Sequence, residues 1–224
     1  MRADTKNTVD ELLNVAERLF ARHGVENVPL TRIVGSSGQR NRSAPHYHFG
    51  SRAGLLAAVL DRRLRHINAL RHAMLDVTAP TGSNLANAVR GMVTPLCRVV
   101  LTEPWGSDYV SIRGQVTFHP RALGETVVDD ANLSSVRRCK QLVEEALPQI
   151  PLEILNLRVR WLTDSIVIAV ARWSRSKSKA RTREAMDNLI EEIVAYGVAG
   201  LAAPLRPIAT ALPRRSPQVR AVAR

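Results

Sequence analysis

The chain lacks several features that would define other classes of protein. Among its 224 residues only Cys97 and Cys139 are cysteines, and neither belongs to a CxxC pair. A disulfide framework and a cysteine-based metal site are therefore excluded, and we expect two buried, reduced thiols. No apolar run reaches the roughly 18 residues that a membrane-spanning helix needs, so we expect no contact with a membrane.

Signals for secretion and catalysis are also missing. The first residues carry acidic side chains and no apolar stretch of the kind found in a secretory signal. Neither a GxSxG motif, nor a phosphate-binding loop, nor a dinucleotide fingerprint occurs. His46 and His48 stand two residues apart, so on a helix they would point to different faces rather than hold a metal. We expect a cytoplasmic protein that is not an enzyme and uses no cofactor or metal.

Acidic residues are scarce relative to basic ones. The chain has 20 of the former and 32 of the latter, a formal net charge of +12. Such an excess favours anionic partners: nucleic acid, an acidic membrane face or anionic ligands. The positive charge is concentrated in residues 28–72, which contain eight arginines and one acidic residue, Asp61. The arginines are Arg32, Arg40, Arg42, Arg52, Arg62, Arg63, Arg65 and Arg71.

Apolar residues recur at three- and four-residue spacing, which predicts an all-α fold. Thr8 and Glu11 have the spacing of a capping box for a first helix. Pro29 can occupy the first position of a short second helix. Asn41 can cap a third helix that ends near residue 49, and Ser51 a long fourth. The first three helices would form a helix-turn-helix domain.

The remainder of the chain predicts a larger helical body and a tail. Five further helices fit residues 85–101, 108–118, 133–147, 152–173 and 186–201. Beyond residue 204 the composition turns to proline, alanine and arginine without periodicity, which predicts a disordered basic tail. The predicted divisions are 1–53 for the helix-turn-helix domain, 54–203 for the helical body, and 204–224 for the tail.

The third helix and its flanks carry small polar and cationic side chains that suit a DNA duplex. Its first residues can enter the major groove, while Tyr47 and His48 stand where they can donate to a phosphate. The start of the fourth helix also favours an anion near Arg52. The predicted DNA contacts are Arg40, Asn41, Arg42, Ser43, His46, Tyr47, His48 and Arg52. The other interpretation is a polar surface helix with Tyr47 or Phe49 buried.

Several short motifs together resemble one known family. They are Ala16-Glu17-Arg18-Leu19-Phe20, Gly24, Leu30-x-x-Ile33, Gly38, and Tyr47-His48-Phe49-Gly50-Ser51-Arg52-x-Gly54-Leu55-Leu56. In this order and spacing they resemble the N-terminal domain of TetR-family transcriptional regulators. The resemblance covers about residues 8 to 60. Beyond it, the length and helix count suit the family, but no motif is matched.

The resemblance implies an all-helical homodimer that regulates transcription in response to a ligand. We expect a repressor that binds a palindromic operator in double-stranded DNA and is released by a small, apolar or amphipathic effector. The last two helices would form a four-helix interface with their counterparts in a second copy. The predicted interface residues lie on their apolar stripes: Leu155, Leu162, Ile166, Leu189, Ile193 and Gly197.

Some residues depart from the pattern of the family. Pro45 falls inside the third helix, as its fourth residue if Asn41 is the cap, and removes at most the earliest hydrogen bond there. Gly35 lies inside the second helix, at a cost of about 1 kcal/mol relative to alanine. We therefore expect a DNA-binding unit of marginal stability.

The effector is expected in the helical body, where the sequence offers aromatic side chains and one cation. Arg113, one turn beyond Tyr109, could anchor a carboxylate or phosphate. The predicted lining residues are Trp105, Tyr109, Arg113, Phe118 and Trp161. The other interpretation is that the aromatic residues are ordinary core and Arg113 is exposed. A different class of function also stays open: a protein that coats nucleic acid without sequence preference, using its net charge and basic tail.

Overall fold

The computed structural model describes residues 3–38, 44–78, 84–119, 130–177 and 181–205. Within these ranges the chain forms nine α-helices and one 3-10 turn, Asp130–Leu133, and no strand, which confirms the predicted all-α fold. None of the described helices is long and apolar enough to cross a membrane. The helices are α1 (Ala3–His23), α2 (Leu30–Ser36), α3 (Ala44–Phe49), α4 (Arg52–Thr78), α5 (Leu85–Thr102), α6 (Gly106–Phe118), α7 (Ser134–Ala146), α8 (Leu152–Ser174) and α9 (Arg183–Leu201).

One continuous hydrophobic core extends from Leu12 in α1 to Leu201 in α9. Helix α5 lies at its centre, in contact with α4, α6, α7, α8 and α9. Its apolar residues recur around most of its circumference, as expected for a helix that is covered on nearly every side. The core contains residues from both sides of the predicted domain boundary at residue 53, because α1 packs against both α4 and α6. The division into domains at that residue stays a prediction.

Three residues at the junction of α3 and α4 determine the turn between the two helices. As predicted, Ser51 caps α4, since its hydroxyl accepts a hydrogen bond from the Gly54 N–H at 3.0 Å. Gly50 adopts a φ of 69°, which glycine tolerates better than any other residue. At Gly54 a Cβ atom would come within 2.1 Å of the Phe49 carbonyl oxygen, so no side chain fits. These residues hold α3 close against the start of α4.

Three predictions about helix starts need correction. Helix α1 begins at Ala3, so Thr8 lies inside it and is not a cap. Pro29 is the N-cap of α2 rather than its first residue, with an extended ψ of 151°. Pro45 is the second residue of α3, not the fourth, where its missing N–H is one of those without a helical partner. Asn41 lies outside the described residues.

A buried carboxylate joins α1 to α4. Glu17 is only 3% exposed and accepts hydrogen bonds from two consecutive arginines of α4. The Nη2 atom of Arg62 lies 3.0 Å from Oε2, and Nη2 of Arg63 lies 2.6 Å from the same oxygen. Nε of Arg63 lies 2.9 Å from Oε1, which satisfies the second oxygen. These two arginines, counted in the basic segment, are therefore used inside the fold.

Both cysteines are buried and unpaired, as predicted. Burial raises the pKa of the Cys97 thiol to about 12 and that of Cys139 to about 11. The thiolate, which is the reactive form, is therefore almost absent at neutral pH.

Replacing Glu17 with Gln should lower the free energy of unfolding by about 3 kcal/mol, because two partly buried guanidinium groups lose their counter-charge. Chemical denaturation at fixed protein concentration measures this. Glu11→Gln is the matched control, since Glu11 is an exposed carboxylate of the same helix. Equal stability of the two variants would contradict a structural role for the Glu17 cluster.

Candidate DNA-binding surface and internal cavity

Helices α2 and α3 present a polar outer surface. Tyr47 is 85% exposed, whereas Phe49 packs against the hydrophobic core. Thr31, Arg32, Gly35 and Ser36 of α2 are exposed as well. Tyr47 of α3 therefore points outward, and Phe49 points inward. A phenolic hydroxyl in such a position can donate to a phosphate oxygen.

The other predicted DNA contacts divide into two groups. Arg40, Asn41, Arg42 and Ser43 lie outside the described residues, as does the side chain of His46. His48 is half-buried, with its ring edge-on to its neighbours.

Arg52 has an internal role in addition to any external one. Its Nη1 atom donates to the carbonyl oxygens of Val25 and Glu26, at 2.9 and 2.6 Å. These oxygens belong to the turn after α1, so Arg52 fixes that turn against the first residue of α4. At least one of its nitrogens is therefore committed within the protomer.

Helix α6 is bonded directly to the C-terminal end of α1. The side-chain oxygen of Gln115 accepts from the Val25 N–H at 2.8 Å, and its nitrogen donates to the Phe20 carbonyl at 3.3 Å. Ser111, one turn earlier, donates to the Ala21 carbonyl at 3.4 Å. These bonds satisfy the Val25 N–H and the Ala21 carbonyl, and they add a second donor at the Phe20 carbonyl, which also accepts from the Gly24 N–H at 3.1 Å. A displacement of α6 would therefore act on α1.

An internal cavity of about 140 Å³ lies between α4, α5, α6, α8 and the start of α7. Its lining is mostly apolar, with Tyr109, Arg71 and Arg113 as the larger polar side chains. Tyr109 is almost completely buried, and burial raises the pKa of its hydroxyl, while Arg113 and Arg71 act in the opposite direction. The described lining is Leu60, Leu64, Ile67, Arg71, Met92, Leu96, Tyr109, Arg113, Leu133, Val136, Thr163, Ile166 and Val167.

The predicted ligand-binding residues do not all meet at this cavity. Tyr109 and Arg113 line it. Trp105 instead packs beneath Arg63, whose Cζ lies 4.5 Å from the ring centroid. Phe118 is 67% exposed and borders a separate cleft between α6 and α8. Trp161 is 60% exposed and lies in a groove between α8 and α9.

Arg71 is the cavity residue that sequence reasoning missed. It was counted with the basic segment, but only 5% of it is exposed. A signal was available: Leu60, Leu64 and Ile67 form the apolar stripe of α4, and Arg71 is the next position on that stripe. An arginine at a core position of an amphipathic helix indicates a buried cation with a specific task.

Helices α8 and α9 expose an apolar face. Ile154, Leu157 and Trp161 of α8 are exposed at helical spacing, and Tyr196 of α9 is 66% exposed. A groove of about 340 Å³ runs between Trp161, Tyr196 and Gly200. An apolar face of this extent on two adjacent helices is typical of a protein–protein contact.

The interface residues named from the sequence need partial correction. Leu155, Leu162 and Ile166 are buried in the protomer's own core. Gly197 is buried too, and a Cβ atom there would lie 2.8 Å from Val89, so this glycine lets α9 approach α5. A second copy could not reach these four residues. Leu189 and Ile193 are half-buried beside the exposed face and stay predictions.

The comparisons with known proteins agree with this architecture. A family model described as the tetracyclin repressor-like C-terminal domain matches residues 90–200. Among curated proteins, the HTH-type transcriptional repressor AcnR of Corynebacterium efficiens is 27% identical over 175 residues, which cover 74% of this chain and 82% of the relative. AcnR of Corynebacterium glutamicum is 23% identical over 196 residues, covering 83% and 94%.

Solved structures show the same fold. The fatty acid degradation regulator FadR of Bacillus halodurans superimposes with a TM-score of 0.58 at 10% identity, covering 87% of this chain and 96% of that one. A transcriptional regulator from Rhodococcus sp. Rha1 gives 0.53 at 14% identity, covering 88% and 99%.

The fold and the N-terminal motifs define a helical transcriptional regulator with a helix-turn-helix domain and a helical body. The chain belongs to the TetR family of transcriptional regulators, as the N-terminal motifs implied.

The bond between α6 and α1 can be tested separately. Gln115→Met keeps the length of the side chain but removes the partner of the Val25 N–H and one of the two donors to the Phe20 carbonyl, so the free energy of unfolding should fall by about 2 kcal/mol. Gln141→Met is the control, because Gln141 is exposed and bonds only within α7, to Glu145. Denaturation curves of the two variants that coincide would contradict the predicted link.

Proposed function

We propose that the protein is a repressor that binds a palindromic operator as a homodimer and releases it when a small effector occupies the cavity lined by Tyr109 and Arg113. The observation that carries the proposal is the arrangement of α4 and α6. Both helices line the cavity, and both contact α1 of the helix-turn-helix domain. The relatives from Corynebacterium are themselves described as repressors, which supports the sign of regulation.

DNA recognition is assigned to the outer surface of α2 and α3. The exposed hydroxyl of Tyr47 and the exposed guanidinium of Arg32 would contact phosphates, which position the protein without specifying sequence. Base contacts are proposed for His46 of α3 and for Arg42 and Ser43, which precede that helix in the sequence, because the first residues of a recognition helix meet the major groove. Arg40, Asn41, His48 and Arg52 complete the proposed set.

Effector release is proposed to act through the rotation of α4 and α6 relative to α1. Arg62 and Arg63, near the middle of α4, bind Glu17 of α1. Leu64, Ile67 and Arg71 of the same stretch of helix line the cavity. A ligand shifts the equilibrium only if it binds one arrangement of these helices better than the other. In a dimer with fixed half-site spacing, a small rotation would place the two α3 helices out of register with the DNA.

The homodimer is proposed to form through the exposed face of α8 and α9, centred on Trp161 and Tyr196. Large exposed aromatic side chains are typical anchors of protein interfaces. Leu189 and Ile193, half-buried next to this face, would contribute at its edge.

Selection of bound sequences from a random double-stranded DNA pool, at physiological salt with competitor DNA, tests the proposed function. We expect a palindrome to be enriched, because a two-fold symmetric dimer reads two equivalent half-sites. Strong binding without enrichment would indicate the alternative, a protein that coats nucleic acid through counterion release.

Tyr47→Phe should weaken binding to the selected operator by about tenfold, which corresponds to the ~1.5 kcal/mol of a hydrogen bond to a charged group. Fluorescence anisotropy with labelled operator measures this. Thr102→Val is the control, because it removes an exposed hydroxyl at the end of α5, away from α2 and α3, and should leave the affinity unchanged. A loss of equal size in both variants would remove Tyr47 from the DNA surface.

Trp161→Glu should convert the dimer into monomers and abolish operator binding, because it places a charge at the centre of the proposed interface. Size-exclusion chromatography with light scattering measures the mass. Trp161 is 60% exposed, so the protomer should still fold, whereas a change at half-buried Ile193 would also disturb the core. Val77→Glu, at an exposed apolar residue of α4, is the control. A Trp161→Glu variant that stays dimeric would place the interface elsewhere.

A further inference from the structure

Arg71 places a positive charge inside the protein, and none of the described acidic residues pairs with it. Its Nε atom donates to the Gly91 carbonyl at 2.9 Å and its Nη1 atom to the Ser135 hydroxyl at 2.8 Å. Both acceptors are neutral. Among the described residues no carboxylate lies within ion-pair distance of Arg71, and burial lowers its pKa. An arginine keeps its charge under these conditions.

A buried charge of this kind is costly unless something neutralises it. Glu17 neutralises Arg62 and Arg63, but none of the described carboxylates does the same for Arg71. The two hydrogen bonds hold the guanidinium in one orientation at the wall of the cavity. Three of its five N–H donors are left over from these bonds, and a guanidinium edge is suited to a carboxylate.

A second cation lies at the same cavity. Arg113 is half-buried one turn beyond Tyr109, and both line the space with Arg71. None of the described lining residues is acidic. The carboxylate of Asp61 acts on Tyr109 from nearby, but it accepts a hydrogen bond from Asn132 at 3.0 Å and does not line the cavity. The described cavity wall therefore has two cations, the phenolic hydroxyl of Tyr109 and the hydroxyl of Thr163, and is otherwise apolar.

We infer that the effector is a small organic carboxylate with an apolar body, bound with its carboxylate at Arg71 and Arg113. The inference rests on the proposed function and specifies the ligand class of its cavity. The volume of about 140 Å³ is close to that of a cavity that accepts benzene, so the apolar part is the size of one ring or a short alkyl chain. Leu60, Leu64 and Met92 would contact it.

Calorimetric titration of the full-length protein with benzoate and hexanoate tests the inference, with benzamide and hexanamide as neutral controls of the same shape. We expect the acids to bind and the amides to bind at least about tenfold more weakly, since a charged hydrogen bond is lost. 2-Naphthoate, which exceeds the volume of the cavity, should not bind. Equal affinity for acid and amide, or no binding of either acid, would overturn the inference.

Two variants locate the binding site. Arg113→Gln, at a half-buried position, should weaken benzoate at least about tenfold and leave benzamide unchanged. Arg71→Gln should do the same, and its circular dichroism spectrum reports whether it has folded. Exposed Arg65 of α4 provides the control, because Arg65→Gln removes a charge from the same helix outside the cavity. Benzoate binding that survives the Arg113→Gln change would overturn the inference.

Operator binding is measured separately, by anisotropy with the selected DNA. If benzoate binds through the two arginines but leaves the affinity for DNA unchanged, the ligand class is right and effector release is wrong. If the amides release DNA as well as the acids, effector release is right and the ligand class is wrong.

Discussion

The buried carboxylate of Glu17 determines how α4 lies against α1. Arg62 and Arg63 donate four hydrogen bonds to it, so a single acidic side chain accounts for two of the charges of the basic segment. Arg71 follows eight residues later on the same helix, about 12 Å along its axis. Helix α4 is thus held to α1 by charge and borders the cavity along the same stretch, from Leu60 to Arg71.

Helix α6 provides a second path between the same regions. Gln115 and Ser111 bond to the end of α1, while Tyr109 and Arg113 of the same helix face the cavity. Helices α4 and α6 contact α1 at different places. Helix α4 binds Glu17 within α1, whereas α6 bonds to Ala21 near its end and to Val25 just beyond it. A ligand that displaces only one of the helices would therefore meet resistance from the other, which favours a concerted movement of both.

The sequence predicted the helical class, most helix positions and the corner at Ser51, because these depend on local periodicity, caps and glycine. It failed where the outcome depends on packing between distant segments. In α8 both sides of the helix are apolar, so periodicity could not tell the inward residues Leu155 and Leu162 from the outward Trp161. The capping motif at Thr8 does not mark the start of α1, since the residues before it contain no helix breaker and the helix begins at Ala3.

At the cavity, the spacing of Tyr109 and Arg113 was informative because both lie within one short helix. Phe118 and Trp161 are exposed and do not line the cavity, because an aromatic residue can cover a surface as readily as it lines a core. Arg71 was missed because arginine was counted as surface charge. Its position on the apolar stripe of α4 carried the information, but only the absence of a described counter-ion shows its significance.

Trp105 has a consequence for how the protein can be observed. Its indole lies beneath the Arg63 guanidinium and edge-on to Tyr109, at a ring distance of 6.1 Å. It therefore touches the cation that binds Glu17 and the tyrosine that lines the cavity. The fluorescence emission of Trp105 depends on the charge beside it. Its fluorescence therefore reports on the junction between the two halves of the protein.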